Sequence, residues 1–480
     1  MTRGISRREF VKAVGGAMAA GGLSLAAVGA SSKPQARLPN FVVVFTDDQG
    51  YQDVGCFGSP SIKTPRLDRM AAEGRRFTDF YVAASVCTPS RAALLTGCYA
   101  QRVSLPGVLF PRSNVGISDK EVTIAQMLKA RGYATCCIGK WHLGHHPQFL
   151  PTRHGFDHYF GIPYSNDMWL AADMAVAADA KLGPGLKPAD LKPGIKKRSH
   201  VPLMRDEQVV EYPADQATLT KRYTEEAIRF ITANKGRPFF LYLPHTMPHI
   251  PLFASKAFKG KSARGLYGDV IEEIDWSTGQ ILDTLRTLGL DEHTLVIFTS
   301  DNGPWLSMKK NGGCALPLRD GKFSVYEGGM REPCIMRWPG RIPAGTVCSE
   351  LATTMDLLPT FAGLAGAAAP TDRVVDGKDI WPLMAGTRGA RSPHEAFFYF
   401  RGNGLQAVRS GDWKLHLPRT VGRRGKRRKV GAQLYNLRQD VGEKQNVADQ
   451  HPEVVGRLQA MAAKMAEELK KNRRPCGRVG

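Results

Sequence analysis

The sequence predicts an α/β sandwich built on a largely parallel central sheet. Three observations lead there. Apolar, β-branched runs such as Phe41-Val42-Val43-Val44-Phe45-Thr46 read as strands buried on both faces. Such runs alternate with helical stretches along most of the chain. Chemistry-bearing polar residues recur where the runs end: Asp47-Asp48 after the first, and Ser300-Asp301-Asn302-Gly303 after residues 295–299. That edge is where open α/β sheets place their ligands.

Taken in order, the chain begins with a segment set apart from the fold. Ser6-Arg7-Arg8-Glu9-Phe10-Val11-Lys12 precedes a Gly/Ala-rich run over 13–30 that ends in Val28-Gly29-Ala30. This reads as a twin-arginine export signal spanning 1–30, with the cleaved product periplasmic or secreted in a bacterial-type cell. An uncleaved membrane anchor is the plain alternative. The run is short and glycine-rich for a spanning helix, and no later segment is long and apolar enough to span, so no stable membrane span remains after cleavage.

Thr64-Pro65 opens a helix to about residue 73, by its cap and its first-turn proline. Residues 75–82 are extended, a helix follows just after Cys87, 122–130 is helical and 133–138 a strand. A long amphipathic helix over 214–233 leads to a strand at 239–243, which ends at Pro244-His245. Residues 262–288 are largely helical and 295–299 form another buried strand. The Pro/Gly/Lys-rich stretch 181–201 reads as an insertion loop and 362–370 as a connector. Beyond about 391 the texture changes to short strand-like pieces at 396–401, 405–409, 413–417 and 433–436, then a basic helix from 452 to about 471. That pattern suggests a small antiparallel sheet with a helix packed on it. The predicted organisation is a signal over 1–30, a catalytic α/β domain over 38–390 and an antiparallel-sheet subdomain over 391–480.

Net charge is +22, of which the signal contributes +3, leaving +19 for the mature chain. Such a balance suits an anionic partner. Two clusters, 423–429 and 192–198, carry part of it, and each taken alone reads better as a solvated loop. No motif interleaves these charges with aromatics, so no nucleic-acid partner is expected. Nine cysteines show no zinc-ribbon or Cys-x-x-Cys spacing, and their pairing is left open.

Asp47, Asp48, Asp301 and Asn302 are hard oxygen donors at equivalent strand ends, which suits Ca²⁺, or Mg²⁺, rather than zinc. Each pair alone reads as a turn; together they favour a metal, since clustered carboxylates without a cation repel. Cys87 stands just before a helix start, where free N–H groups and the helix dipole favour an anion.

The run Cys87-Thr88-Pro89-Ser90-Arg91 with Leu95-Thr96-Gly97 resembles the signature of the Cys-type, formylglycine-dependent sulfatases. Gly139-Lys140-Trp141-His142-Leu143-Gly144 resembles the second signature of that family, and Leu434-Tyr435-Asn436-Leu437 with Glu443-Lys444-Gln445-Asn446 its C-terminal segment. Residues 161–165 and the setting of His245 are similar to the arylsulfatase A and N-acetylgalactosamine-6-sulfatase branch. The resemblance covers nearly the whole mature chain.

It implies an alkaline-phosphatase-like core with a four-stranded C-terminal sheet and release of sulfate from a sulfated carbohydrate or an aryl sulfate. By the same resemblance Cys87 is oxidised to formylglycine by a formylglycine-generating enzyme, and the hydrated aldehyde attacks sulfur. Ca²⁺ is held by Asp47, Asp48, Asp301, Asn302 and the modified residue 87. Arg91 orients that residue, Lys140 holds sulfate and His142 takes the proton that expels it. His245 contacts the ester oxygen, and Lys322 contacts sulfate and helps protonate the leaving group. Ser165 hydrogen-bonds the modified residue. His145, His146 and His249 read as loop, core or substrate-rim residues. Phe323 stands where many members carry a small residue, a departure that narrows the expected pocket. Two other readings stay open: a phosphomonoester or phosphonate ester hydrolase of the same superfamily, and a non-catalytic sulfated-glycan-binding protein.

Overall fold

The run at 40–46 is apolar without a break because it is covered on both sides. Phe41, Val43 and Phe45 enter one core, while Val42 and Val44 enter another. The computed structural model describes residues 37–187, 190–191, 197–421 and 428–480, and residues 38–480 form one unit. The proposed export signal lies outside the described residues, as do most of the two basic clusters.

A twelve-stranded sheet runs through the molecule. Its centre holds four strands that carry the chemistry: β1 (Asn40–Thr46), β2 (Ala134–Lys140), β3 (Phe239–Pro244) and β4 (Thr294–Ser300). The order β4-β1-β3-β2 is parallel throughout and continues in parallel to His158–Ile162. Thr46 pairs with Ser300 and Phe45 with Pro244, so the carboxyl ends of these strands are level and open onto one edge. Outside β4, Arg331–Arg337 and Arg75–Tyr81 continue the sheet antiparallel to their inner neighbours. At the far side, Leu203–Arg205, Gln208–Tyr212 and Val176–Leu182 extend it. The last of these is a strand absent from the sequence reading, and it reaches two residues into the stretch 181–201 read as an insertion loop. Its residues are mostly exposed, and with no apolar face to bury they give no periodic signal.

Among the helices that meet the first core are α1 (Cys87–Thr96), Ile124–Lys129 and Leu357–Leu364. On the other face α2 (Leu219–Ala233) and α3 (Leu266–Thr287) lay Tyr223, Ala227 and Ile231, and Val270, Ile274 and Ile281, against the sheet. Each such fully buried side chain contributes about 1.5–3 kcal/mol. Cys136 and Cys137, adjacent in β2, point into opposite cores. All nine cysteines are free thiols.

A second, four-stranded antiparallel sheet follows: Phe397–Arg401, Gly404–Ser410, Trp413–His416 and Gln433–Asn436. The helix Pro452–Asn472 packs Leu458 and Ala462 onto Val408, Leu415 and Leu434. Buried charge joins this sheet to the large one. Lys414 Nζ lies 2.9 Å from Glu327 and 3.0 Å from Glu443, all three side chains fully buried. Tyr399 donates to Glu327 at 2.9 Å, and the Glu327 N–H donates to Glu443 at 2.7 Å. Burial alone would raise the Glu327 carboxyl; Lys414, Arg331 and Arg409 outweigh it and hold it below the usual range.

Candidate active site

Helix α1 starts at Cys87 itself. Pro89 sits in the first turn, where its missing N–H costs nothing, and Gly97 closes the helix at φ 67°. Cys87 is therefore held at a helix N-terminus and is only 2% exposed. Its thiol donates to Asp47 Oδ1 at 3.4 Å and lies 3.7 Å from Lys322 Nζ. Burial and the Asp47 charge push the thiol up, so as encoded it stays protonated and inert.

The strand ends supply the rest. Asp47 and Asp48 follow β1, and Asp48 adopts φ 63°, a left-handed turn that Asp tolerates. Lys140 ends β2 and reaches Asp47 Oδ2 at 2.5 Å. Two glycines let the strands close behind it: a Cβ on Gly139, at φ 128°, would meet the Pro244 carbonyl oxygen at 1.9 Å, and one on Gly161 would meet the Gly139 oxygen at 1.8 Å. Asp301 and Asn302 follow β4. Arg91 grips Asp301 Oδ2 through Nε at 3.1 Å and Nη2 at 2.7 Å, and donates to the Lys140 carbonyl at 2.8 Å. Lys322 lies 2.7 Å from the Asp48 carboxylate.

Three buried carboxylates are thus matched by three buried cations. Burial would raise Asp47, but Lys140, His249, Arg91 and Lys322 hold it well below the usual range. Burial and then Asp47 push Asp301 up to about 7, against the pull of Arg91. The donor set fits a hard dication. Asn302 donates its Nδ2–H to Asp48 Oδ1 at 2.7 Å, which leaves its Oδ1 buried with no partner among the described residues. An orphaned amide oxygen beside three carboxylates is a ligand set for Ca²⁺ or Mg²⁺. With the carboxylates already balanced, a dication would leave surplus positive charge to receive an anion.

His142 takes φ 60° and gives its Nε2–H to the Leu109 carbonyl at 2.9 Å. That tautomer leaves Nδ1 as an unpaired acceptor, and burial together with Lys140 keeps the ring neutral. Ser165 accepts from Lys140 at 3.2 Å and meets His249 Nε2 at 3.2 Å. His249 donates Nδ1–H to Asn166 Oδ1 at 3.0 Å, so its Nε2 is the acceptor, 3.7 Å from Asp48 Oδ2.

The structure brings together Cys87, Arg91, Lys140, His142, Ser165, Lys322 and the four oxygen donors. His245 does not join them and is corrected. Its Nε2 lies 3.3 Å from Ser277 Oγ on α3 and its ring packs near Tyr223. Burial alone pushes it down to about 4, with no charge of the cluster acting on it. His249 stands in the cluster instead, within 4.8 Å of Asp47, Asp48 and Cys87 by ligand atoms, and feels Lys322, Asp48, Asp47 and Lys140. The sequence hint was its place four residues on in the same loop. Asn166, which orients it, and Trp305 were not anticipated. Lys322 Nζ sits 4.8 Å from the Trp305 ring, and Phe323, 38% exposed, packs edge-on against Trp305 at 5.3 Å. The two rings make an aromatic wall at the mouth of the site.

A buried residue at a helix start, oxygen donors at parallel strand ends and two lysines beside them define an ester hydrolase with the alkaline-phosphatase-like fold. The comparisons narrow this. A family model described as Sulfatase matches residues 39–367, and one described as the C-terminal part of N-sulphoglucosamine sulphohydrolase matches 319–474. The chain is 44% identical to arylsulfatase A of Homo sapiens over 396 residues, 79% of this chain and 75% of that protein. It is 43% identical to N-acetylgalactosamine-6-sulfatase of Canis lupus familiaris over 414 residues, 82% of this chain and 74% of that one. The crystal structure of the PsFucS1 sulfatase from Pseudoalteromonas sp. matches with a TM-score of 0.77 at 27% identity, covering 92% and 93% of the two chains. The chain belongs to the sulfatase family and is a sulfatase.

Proposed function

We propose that the protein is an exported, formylglycine- and Ca²⁺-dependent sulfuric ester hydrolase acting on a sulfated carbohydrate or an aryl sulfate. The observation that carries this is Cys87, set at a helix start between the Asp47 carboxylate and the Lys322 ammonium, with the free Nδ1 of His142 among the same charges. Oxidation of Cys87 to formylglycine would supply a hydrated aldehyde, one hydroxyl serving as nucleophile and the other as the route of release. Ca²⁺ held by Asp47, Asp48, Asp301 and Asn302 would polarise a sulfuryl oxygen.

The remaining work falls to the chain's own groups. Lys140 and Lys322 present ammonium protons to the sulfuryl oxygens, and Lys322 also faces the position of the leaving oxygen. His142 Nδ1 accepts the proton lost on sulfate release. Arg91 neutralises Asp301 and Asp47 and fixes the first turn of α1. Ser165 couples Lys140 to His249, which stands in the cluster where His245 was expected. The aromatic wall of Trp305 and Phe323 suits the flat face of a sugar or aryl ring, and the net charge of +19 left after signal cleavage favours a polyanion. Export by the twin-arginine route, which carries folded proteins, places the oxidation of Cys87 in the cytoplasm.

Aryl sulfate and aryl phosphate turnover test the reaction class directly. The sulfate ester is expected to dominate, and its turnover to fall with a Ca²⁺ chelator and return with added Ca²⁺. Preference for phosphate, or indifference to the chelator, would overturn the reading. The two histidines separate on kcat/KM: His249→Ala is expected to lower it by about 100-fold or more, the range of a proton-handling group, whereas His245→Ala stays within about threefold. The opposite order would restore His245.

A further inference from the structure

A second cluster of metal-ligand side chains lies on the loop after β2. His145 and His146, with ring centroids 4.3 Å apart, both face Asp173. His145 is 3% exposed, and its Nε2 has no hydrogen-bond partner among the described residues while standing 3.6 Å from Asp173 Oδ1. His146 turns Nδ1 toward the other oxygen of that carboxylate. Its Nε2 lies 3.2 Å from the Ser113 carbonyl, which can only accept, so Nε2 carries a proton. Burial and His146 push His145 down to about 4, so that ring is neutral.

His146 thus holds one oxygen of the carboxylate in a close contact, while the buried Nε2 of His145 faces the other without a hydrogen bond. A second proton on His146 would satisfy that ring and leave His145 Nε2 buried and unpaired, at a cost of about 1–3 kcal/mol. A metal ion satisfies both. The ligand atoms all lie within 4.8 Å of one another. The Ser113 carbonyl fixes the His146 tautomer as an outer partner does for metal-bound histidine.

We propose that His145, His146 and Asp173 bind a transition-metal dication of the zinc class, at a site separate from the oxygen-lined one. Two nitrogens and one carboxylate select Zn²⁺, Ni²⁺ or Cu²⁺ over Ca²⁺. The ion enters from the half-exposed Asp173 side, displaces any proton on His146 to solvent and keeps a fourth position for water. It ties together the loops of Ser113, His145 and Asp173. Tyr164, the neighbour of Ser165, packs edge-on against His145 at 5.8 Å, so the clamp abuts the active-site wall.

The test is Zn²⁺ titration of the chelator-stripped mature protein by calorimetry, in excess Ca²⁺ to fill the oxygen site. One Zn²⁺ per chain is expected, with affinity reduced at least about tenfold in Asp173→Asn and in His145→Gln. Zinc-edge anomalous diffraction should place the ion between the three side chains. Asp173 is half exposed, so its variant folds and keeps the comparison informative if His145→Gln does not. Absence of Zn²⁺ binding, equal affinity in Asp173→Asn, or an anomalous peak at cysteine sulfur would each overturn the proposal.

Discussion

Replacing Cys87 with alanine is expected to lower sulfate ester hydrolysis by a factor on the order of 10⁴–10⁶, the scale on which loss of a catalytic nucleophile falls. The fold should survive, because Cys87 makes two weak hydrogen bonds from the first turn of a helix whose other side chains keep their packing. Cys87→Ser is the sharper comparison. It keeps a hydroxyl in place but lacks the second one, so it is expected to turn over at most once. Mass spectrometry of the wild-type peptide spanning residue 87 should show the thiol sulfur replaced by an aldehyde oxygen. Active protein that retains cysteine, or a Cys87→Ala variant near wild-type rate, would sink the mechanism. Intact mass of the periplasmic or secreted protein reads the export proposal in the same run, since the chain should begin at Ser31.

The second large effect is on stability. Lys414→Met is expected to destabilise the protein by about 3–5 kcal/mol, because it leaves the Glu327 and Glu443 carboxylates facing one another in a site closed to water. His416 and Arg331 cannot restore the balance. The His416 Nε2 lies 2.7 Å from Glu443, but burial pushes that ring down to about 4, and Arg331 is already engaged by Asp79 at 2.7 Å. Urea denaturation measures the loss. An unfolding free energy within about 0.5 kcal/mol of wild type would show that the pair is not closed to solvent. The triple variant Lys414→Met, Glu327→Gln, Glu443→Gln removes the stranded charges and should recover much of the stability.

The central sheet was legible because its strands are buried on both faces, and burial on both faces writes itself as unbroken apolar sequence. The residues of β1 and β4 carry that mark, and the site donors follow directly in the chain. Arg331–Arg337 was not legible. Its Arg331, Glu332 and Arg337 are buried charges, two of them paired with distant partners, and they interrupt any apolar pattern. The choice between His245 and His249 failed for another reason. Three prolines, Pro244, Pro248 and Pro251, steer the loop between them, and which imidazole faces the cluster depends on that path rather than on spacing. The His145–His146–Asp173 group was half visible, as a histidine pair whose carboxylate lies far along the chain. The charge network of Lys414 was invisible, since nothing local links residues 327, 414 and 443.

That network also sets a clock. Glu327 lies five residues beyond Lys322, and Arg319, three residues before it, donates to the Glu443 carbonyl. The segment that carries Lys322 over the nucleophile is thus fastened by residues near the end of the chain. A ribosome adds Glu443 356 residues after Cys87, which at bacterial elongation speeds of about 5–20 residues per second is roughly 20–70 s. Throughout that interval the nascent chain lacks the fastening that seals position 87, so under the proposed function the residue would stay open to an oxidising enzyme. Order of synthesis, rather than any opening of the finished molecule, would give the proposed maturation step its access.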